Sequence, residues 1–156
     1  MDTETDYSYP EIHAPAWMNA AVTFGLKTPG LQSLLGRQLG LITFTGRKSR
    51  RRINTPVTYF RDGDEVLILT KTARQWWRNF ATQPGVTLRL AGKTYSGKAE
   101  AIFDNTTKLP LVERFLQNRP RDAKAYGVEL GPNNEVDEKS LRALVPHVIP
   151  IVVQLD

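Results

Sequence analysis

The sequence predicts an α+β domain that is mainly β, an antiparallel barrel of about six strands with peripheral helices. Three observations carry this. Runs rich in β-branched and aromatic residues recur from Leu39 to the last residues of the chain. Two of the connections between them, Asp62-Gly63-Asp64 and Gly92-Lys93, are tight-turn signals. They are too short for the helical crossover that a parallel, doubly wound sheet requires. The final run, Val148–Leu155, is apolar and can close the sheet, which removes an exposed edge.

Taken in order, residues 1–14 read as a loose arm, because Pro10 and Pro15 discourage helix there. From Ala16 to Lys27, the spacing of Trp17, Ala20, Ala21, Phe24 and Leu26 predicts an amphipathic helix that stops before Thr28-Pro29-Gly30. A short helix fits Leu31–Arg37. Strands follow at Leu39–Thr45, Pro56–Arg61 and Glu65–Lys71. Arg74–Thr82 reads as a short helix closed by Gln83-Pro84-Gly85. Val86–Ala91 and Thr94–Phe103 form the second hairpin. Asp104 then caps a helix to Asn118, with Leu109, Val112, Phe115 and Leu116 on one face. Pro110 is expected to delay the start of that helix. Weaker helical stretches lie around Arg121–Tyr126 and Lys139–Leu144. No repeat or domain boundary interrupts residues 1–156, so a single domain is expected.

Composition narrows the chemistry. With no cysteine, disulfides, thiolate nucleophiles and Cys-ligated metals are excluded. The two histidines, His13 and His147, are far apart in sequence, which argues against a histidine metal cluster. No apolar run approaches the ~20 residues of a spanning helix, and the acidic, polar start is unlike a signal peptide. A cytoplasmic location is expected.

The 21 Lys and Arg exceed the 16 Asp and Glu by 5 charges. One segment, Gly46–Arg52 (GRKSRRR), accounts for the whole excess through Arg47, Lys48, Arg50, Arg51 and Arg52. These cations repel one another, so an anion nearby is stabilising. Ser49 and Thr45 add hydroxyls, Gly46 permits a tight turn, and arginine forks grip phosphate or carboxylate bidentately. A solvated turn that only aids solubility is the plain alternative. Nucleic acid is not expected as the partner, because such footprints spread along a face and interleave aromatics.

Downstream, Trp76 and Trp77 would point about 100° apart on a helix. One can enter the core while the other lines a cleft. Lys71, Arg74 and Arg78 add cations near the same element, and Asn79 can cap or bond a heterocycle edge.

These residues resemble a known family. Leu41-Ile42-Thr43-Phe44-Thr45-Gly46-Arg47-Lys48-Ser49, then Pro56-Val57-Thr58-Tyr59 and Asp62-Gly63-Asp64, are similar to the signature stretch of the deazaflavin-dependent nitroreductases. Trp76–Phe80 with Gln83-Pro84 and Val86-Thr87-Leu88, and the closing Pro146–Val153, are similar to two further segments of it. The resemblance implies a split β-barrel that binds coenzyme F-420, with FMN or FAD as alternatives. This deazaflavin carries a phosphodiester and an oligoglutamate tail. By resemblance Arg47, Lys48 and Ser49 would hold the phosphate and tail, with Arg52 standing in for a neighbouring family arginine. Pro56, Val57 and Tyr59 would line the ring pocket, Thr70 and Lys71 would lie at its far side, and Trp76 and Asn79 would close it. Tyr126 is the candidate proton donor. Arg50 replaces a family glycine, so the turn there is expected to be altered. The Thr70–Gln75 loop is shorter than the family's and lacks glycine.

The expected activity is hydride transfer from the reduced cofactor to a quinone, nitro compound or similar small electron-poor acceptor. A non-catalytic split barrel binding a flavin or fatty acyl chain is the second reading. The third is a nucleic-acid or membrane-surface module, in which Trp17, Phe24 and Lys27 of the N-terminal helix make a peripheral membrane contact. Monomer and homodimer are both compatible with the sequence.

Overall fold

In the computed structural model, which describes residues 39–156, Leu39–Thr45 forms strand β1. The arm and the two helices expected before it, with Trp17, Phe24 and Lys27, lie outside the described residues. Strand β2 spans Arg52–Asp62 and β3 spans Glu65–Lys71, with Gly63 at φ 59° in the turn between them. β4 (Gly85–Leu90) and β5 (Lys93–Ala101) form the second hairpin, and β6 is Val148–Leu155. The six strands close into an antiparallel barrel in the order β1-β2-β3-β6-β5-β4.

β6 closes the sheet, as the sequence suggested. It lies between the hairpins, paired from Glu65↔Gln154 to Lys71↔Val148 on one side and from Gly97↔Leu155 to Ala101↔Ile151 on the other. On the far side of the barrel a short β1–β4 ladder, Leu41↔Arg89 to Thr43↔Thr87, joins β1 to the second hairpin.

Alternation along the strands sorts side chains into two apolar layers. Ile42, Phe44, Val66, Ile68, Leu88, Ile151 and Val153 fill the barrel. Leu67, Leu69 and Val148 face outward and are covered by helices α1 (Asn105–Asn118), α2 (Pro120–Ala125) and α3 (Glu138–Leu144). β3 is therefore buried on both faces, which explains its uninterrupted apolar run.

Asp104 caps α1 as expected, accepting from Thr107 N at 2.8 Å and from Thr107 Oγ1 at 2.8 Å. Pro110 does not delay the helix, which begins at Asn105 and continues through it. The capped first turn and the buried Val112, Phe115 and Leu116 outweigh one missing backbone bond.

The expected helix at Arg74–Thr82 is instead two 3-10 turns, Thr72–Arg74 and Trp76–Phe80, separated by Gln75 at φ 55°. The left-handed residue between them blocks continuous α-helix. The tryptophans still diverge. Trp76 turns inward onto Phe44 and Phe80, with ring centroids at 6.0 and 5.4 Å. Trp77 packs outward on Phe103 at 5.5 Å.

Candidate functional site

β2 changes partner along its length. Tyr59–Asp62 pairs with β3, whereas Arg52–Thr58 pairs with β1. β3 likewise keeps its β6 ladder through Lys71, but its pairing with β2 ends at Ile68. The strands part beyond Tyr59↔Ile68, and Pro56, with no N–H to donate, lies on the parted side. A cavity of about 530 Å³ opens in this split. Its walls are Leu39, Pro56, Val57, Thr58, Leu69, Thr70 and Lys71 from the strands, Arg74 and Trp76 from the 3-10 turns, and Asp122, Ala125 and Tyr126 from the end of α2.

The wall is cross-braced. Trp76 Nε1 donates to Thr70 Oγ1 at 3.0 Å, and Tyr126 Oη donates to the Leu69 carbonyl at 3.2 Å. Burial, with a smaller push from Asp122, raises the Tyr126 phenol to about 12, against a lowering by Arg74. Its proton therefore stays on Oη through neutral pH. The Lys71 ammonium stands 6.0 Å from the Tyr126 ring centroid. Asp122, the one carboxylate among the described residues that line the cleft, is paired with Arg119 at 2.6 Å, and Lys71 and Arg74 add cations to the wall.

The basic segment forms a closed loop beside this cleft. Gly46 N–H donates to Arg51 O at 2.8 Å, and Arg50 N–H to Gly46 O at 2.9 Å. A side chain at Gly46 would collide with Ser49 Oγ at 2.5 Å and meet Ile53 Cδ1 at 3.0 Å. Ser49 Oγ accepts from Arg51 N–H at 3.2 Å. The turn that Arg50 was expected to alter is kept: Arg50 adopts φ 58°, the left-handed conformation a glycine would take. Gln75 likewise supplies a positive φ without glycine. Arg47, Lys48, Arg50 and Arg51 are exposed.

Of the residues named from the sequence, Pro56, Val57, Thr70, Lys71, Trp76 and Tyr126 line one cavity. Arg47, Lys48 and Ser49 form the adjacent loop. Asn79 joins the two, its Oδ1 accepting from Arg47 N–H and its Nδ2 donating to Trp76 O, each at 2.8 Å. Tyr59 lies in the paired half of β2 and packs on the barrel core, and burial raises its phenol despite the lowering influence of Arg119 and Arg61. Arg52 borders a second cavity of about 390 Å³ with Lys98 and Asp156. Leu39, Thr58, Leu69, Asp122 and Ala125 were not anticipated. Thr58, Leu69 and Ala125 each adjoin in sequence a residue that was, while Asp122 and Ala125 come from a helix that the resembling segments do not reach.

The cavity's size suits a planar cofactor. The parted strand edges carry backbone donors and acceptors, Trp76 offers an indole, and cations adjoin both the cleft and the loop. These features fit an anionic deazaflavin.

Fold and site together define the split-barrel class of flavin and deazaflavin oxidoreductases. Residues 17–130 match the family described as F420H(2)-dependent quinone reductase, and the chain belongs to it. It is thus an oxidoreductase of a family that works with coenzyme F-420. No curated protein gives a significant match. Several solved structures share the fold. One is the FAD and heme binding protein from Mycobacterium smegmatis (TM-score 0.52, 16% identity, 81% of this chain and 65% of that one). Another is a relative of general stress protein 26 from Clostridium acetobutylicum (TM-score 0.52, 11% identity, 86% and 84%). A third is described as a domain-swapped dimer (TM-score 0.51, 15% identity, 86% and 93%). None of the described helices is long and apolar enough to cross a membrane.

Proposed function

We propose that the cleft between β2 and β3 holds the deazaflavin ring of coenzyme F-420, and that the Gly46–Arg52 loop holds its phosphodiester and glutamate tail. The observation that carries this reading is the split itself. The β2–β3 ladder stops where six of the residues named from the sequence converge, and Asn79 ties that wall to the cationic loop.

In this reading Pro56, Val57 and Trp76 enclose the ring and exclude water. Thr70 fixes the indole of Trp76, and Lys71 and Arg74 counter negative charge on the bound molecules. Arg47 and Lys48 grip the phosphodiester, with Ser49 shaping the turn. When bound in its reduced form, the coenzyme supplies a hydride to an electron-poor acceptor, here a quinone. Tyr126 keeps its proton at Oη and can present it to an acceptor oxygen only by releasing the Leu69 carbonyl. The domain-swapped neighbour favours a homodimer over a monomer.

Titration of the purified protein with coenzyme F-420, FMN and FAD, followed by fluorescence, tests the reading. Micromolar or tighter binding of coenzyme F-420 is expected, with the two flavins weaker. No binding of any of the three would overturn it.

A further inference from the structure

The cationic loop and the ring cleft are built from separate elements, and one side chain joins them. Asn79 is partly buried, does not line the cleft, and bonds the Arg47 N–H with its oxygen and the Trp76 carbonyl with its nitrogen. Trp76 is held at its other end by Thr70 Oγ1 and packed between Phe44 and Phe80. A path of hydrogen bonds therefore runs from the loop backbone through Asn79 and Trp76 to Thr70, on the part of β3 beyond its β2 ladder.

Resting on the reading above, we propose that Asn79 is a positioning residue that fixes the span between the anion-holding loop and the ring cleft. The role needs an amide. Only a side chain that accepts and donates at once can bridge an N–H and a carbonyl, which neither an aspartate nor a leucine can do. A ligand whose two ends reach two sites gains affinity when the span is preset, because the second contact is made at high effective concentration. If the loop drifts, that gain is lost although each half-site is intact.

The test is calorimetric titration of the parent chain and of Asn79→Ala with three probes: coenzyme F-420, phosphate-free 8-hydroxy-5-deazariboflavin, and inorganic phosphate. The expected result is that the Kd of each fragment stays within about twofold while that of the intact coenzyme rises about tenfold or more. Asn79→Ser, too short to span both partners, should behave the same way and guards against loss of fold in the alanine variant. Equal weakening of all three probes would overturn the proposal, because Asn79 would then be only structural. Weakening of phosphate alone would overturn it too, since Asn79 would then only shape the loop. So would an unchanged coenzyme Kd. A parent chain that binds no coenzyme would overturn the functional reading itself, and this inference with it.

Discussion

The two halves of β2 have the same backbone conformation and opposite duties. From Tyr59 to Asp62 the strand is zipped to β3, and Arg114 of α1 clamps the hairpin through Glu65 at 3.0 Å and through Asp62. From Arg52 to Thr58 it turns to β1, and Pro56, Val57 and Thr58 of this half line the cleft. In the proposed reading the zipped half bears on stability, and the parted half on recognition. Changes in one should therefore leave the other property largely intact.

The largest expected effect belongs to the zipped half. Ile68, fully buried and paired with Tyr59, marks the last rung before the split. Ile68→Ala should lower unfolding free energy by about 2–5 kcal/mol in chemical denaturation. A loss under 1 kcal/mol would mean that the barrel interior collapses around the cavity.

Next comes the brace between the end of α2 and β3. Because the Tyr126 phenol is raised from 10.0 to about 12, its contribution to stability is complete below pH 10 and disappears as pH climbs toward 12. The change is roughly 2–3 kcal/mol. Tyr126→Phe should flatten part of this alkaline decline in melting temperature, with the buried Tyr59 phenol contributing what remains. An unaltered pH profile would show that the Tyr126 hydroxyl is open to water.

The loop should separate the two properties most cleanly. Arg47→Ala combined with Lys48→Ala is expected to weaken coenzyme binding about 10- to 100-fold and to reduce its salt dependence. Thermal stability should barely move, since both side chains are exposed. Unchanged affinity would locate the anion site elsewhere.

The smallest effect concerns Arg50, held at φ 58°. Arg50→Gly should relieve a left-handed strain and stabilise the fold by about 0.5–1 kcal/mol. A destabilised variant would mean that the arginine side chain makes a compensating contact.

Much of this architecture was legible because local signals and tertiary demands coincide. Leu39–Thr45, Glu65–Lys71 and Val148–Leu155 are apolar runs that end where the strands end. The Asp104 cap and the Asp62-Gly63-Asp64 turn are local chemistry. What escaped depends on distant partners. Arg52–Thr55 reads as polar loop and becomes strand only because β1 pairs with it. Arg74–Thr82 has helical composition, but Gln75 adopts a conformation that composition does not announce. The position of β6 between the hairpins is a matter of topology, invisible to periodicity.

The site divides in the same way. Six residues that line the cleft, and the cationic loop, were named from the sequence, yet their separate placement could not be. The bridging geometry of Asn79 requires knowing that Arg47 N–H lies within reach, 32 residues away in the chain. Arg52, beside its fellow cations in sequence, is the first residue of β2 and borders the second cavity, whereas Arg47, Lys48, Arg50 and Arg51 belong to the loop.

The placement of β6 bears on how the chain folds. Both hairpins precede this strand in sequence, and it sits between them in the sheet. Neither β3 nor β5 gains its second neighbour until β6 arrives, and the Glu65↔Gln154 contact closes a long loop. Each hairpin can form early by itself, but the barrel must wait for a remote segment, so folding should be slow for a chain of this size. In pulse-labelled refolding, amides of the β4–β5 ladder should gain protection before those facing β6, and the cleft between β2 and β3 should mature last, with the barrel that frames it.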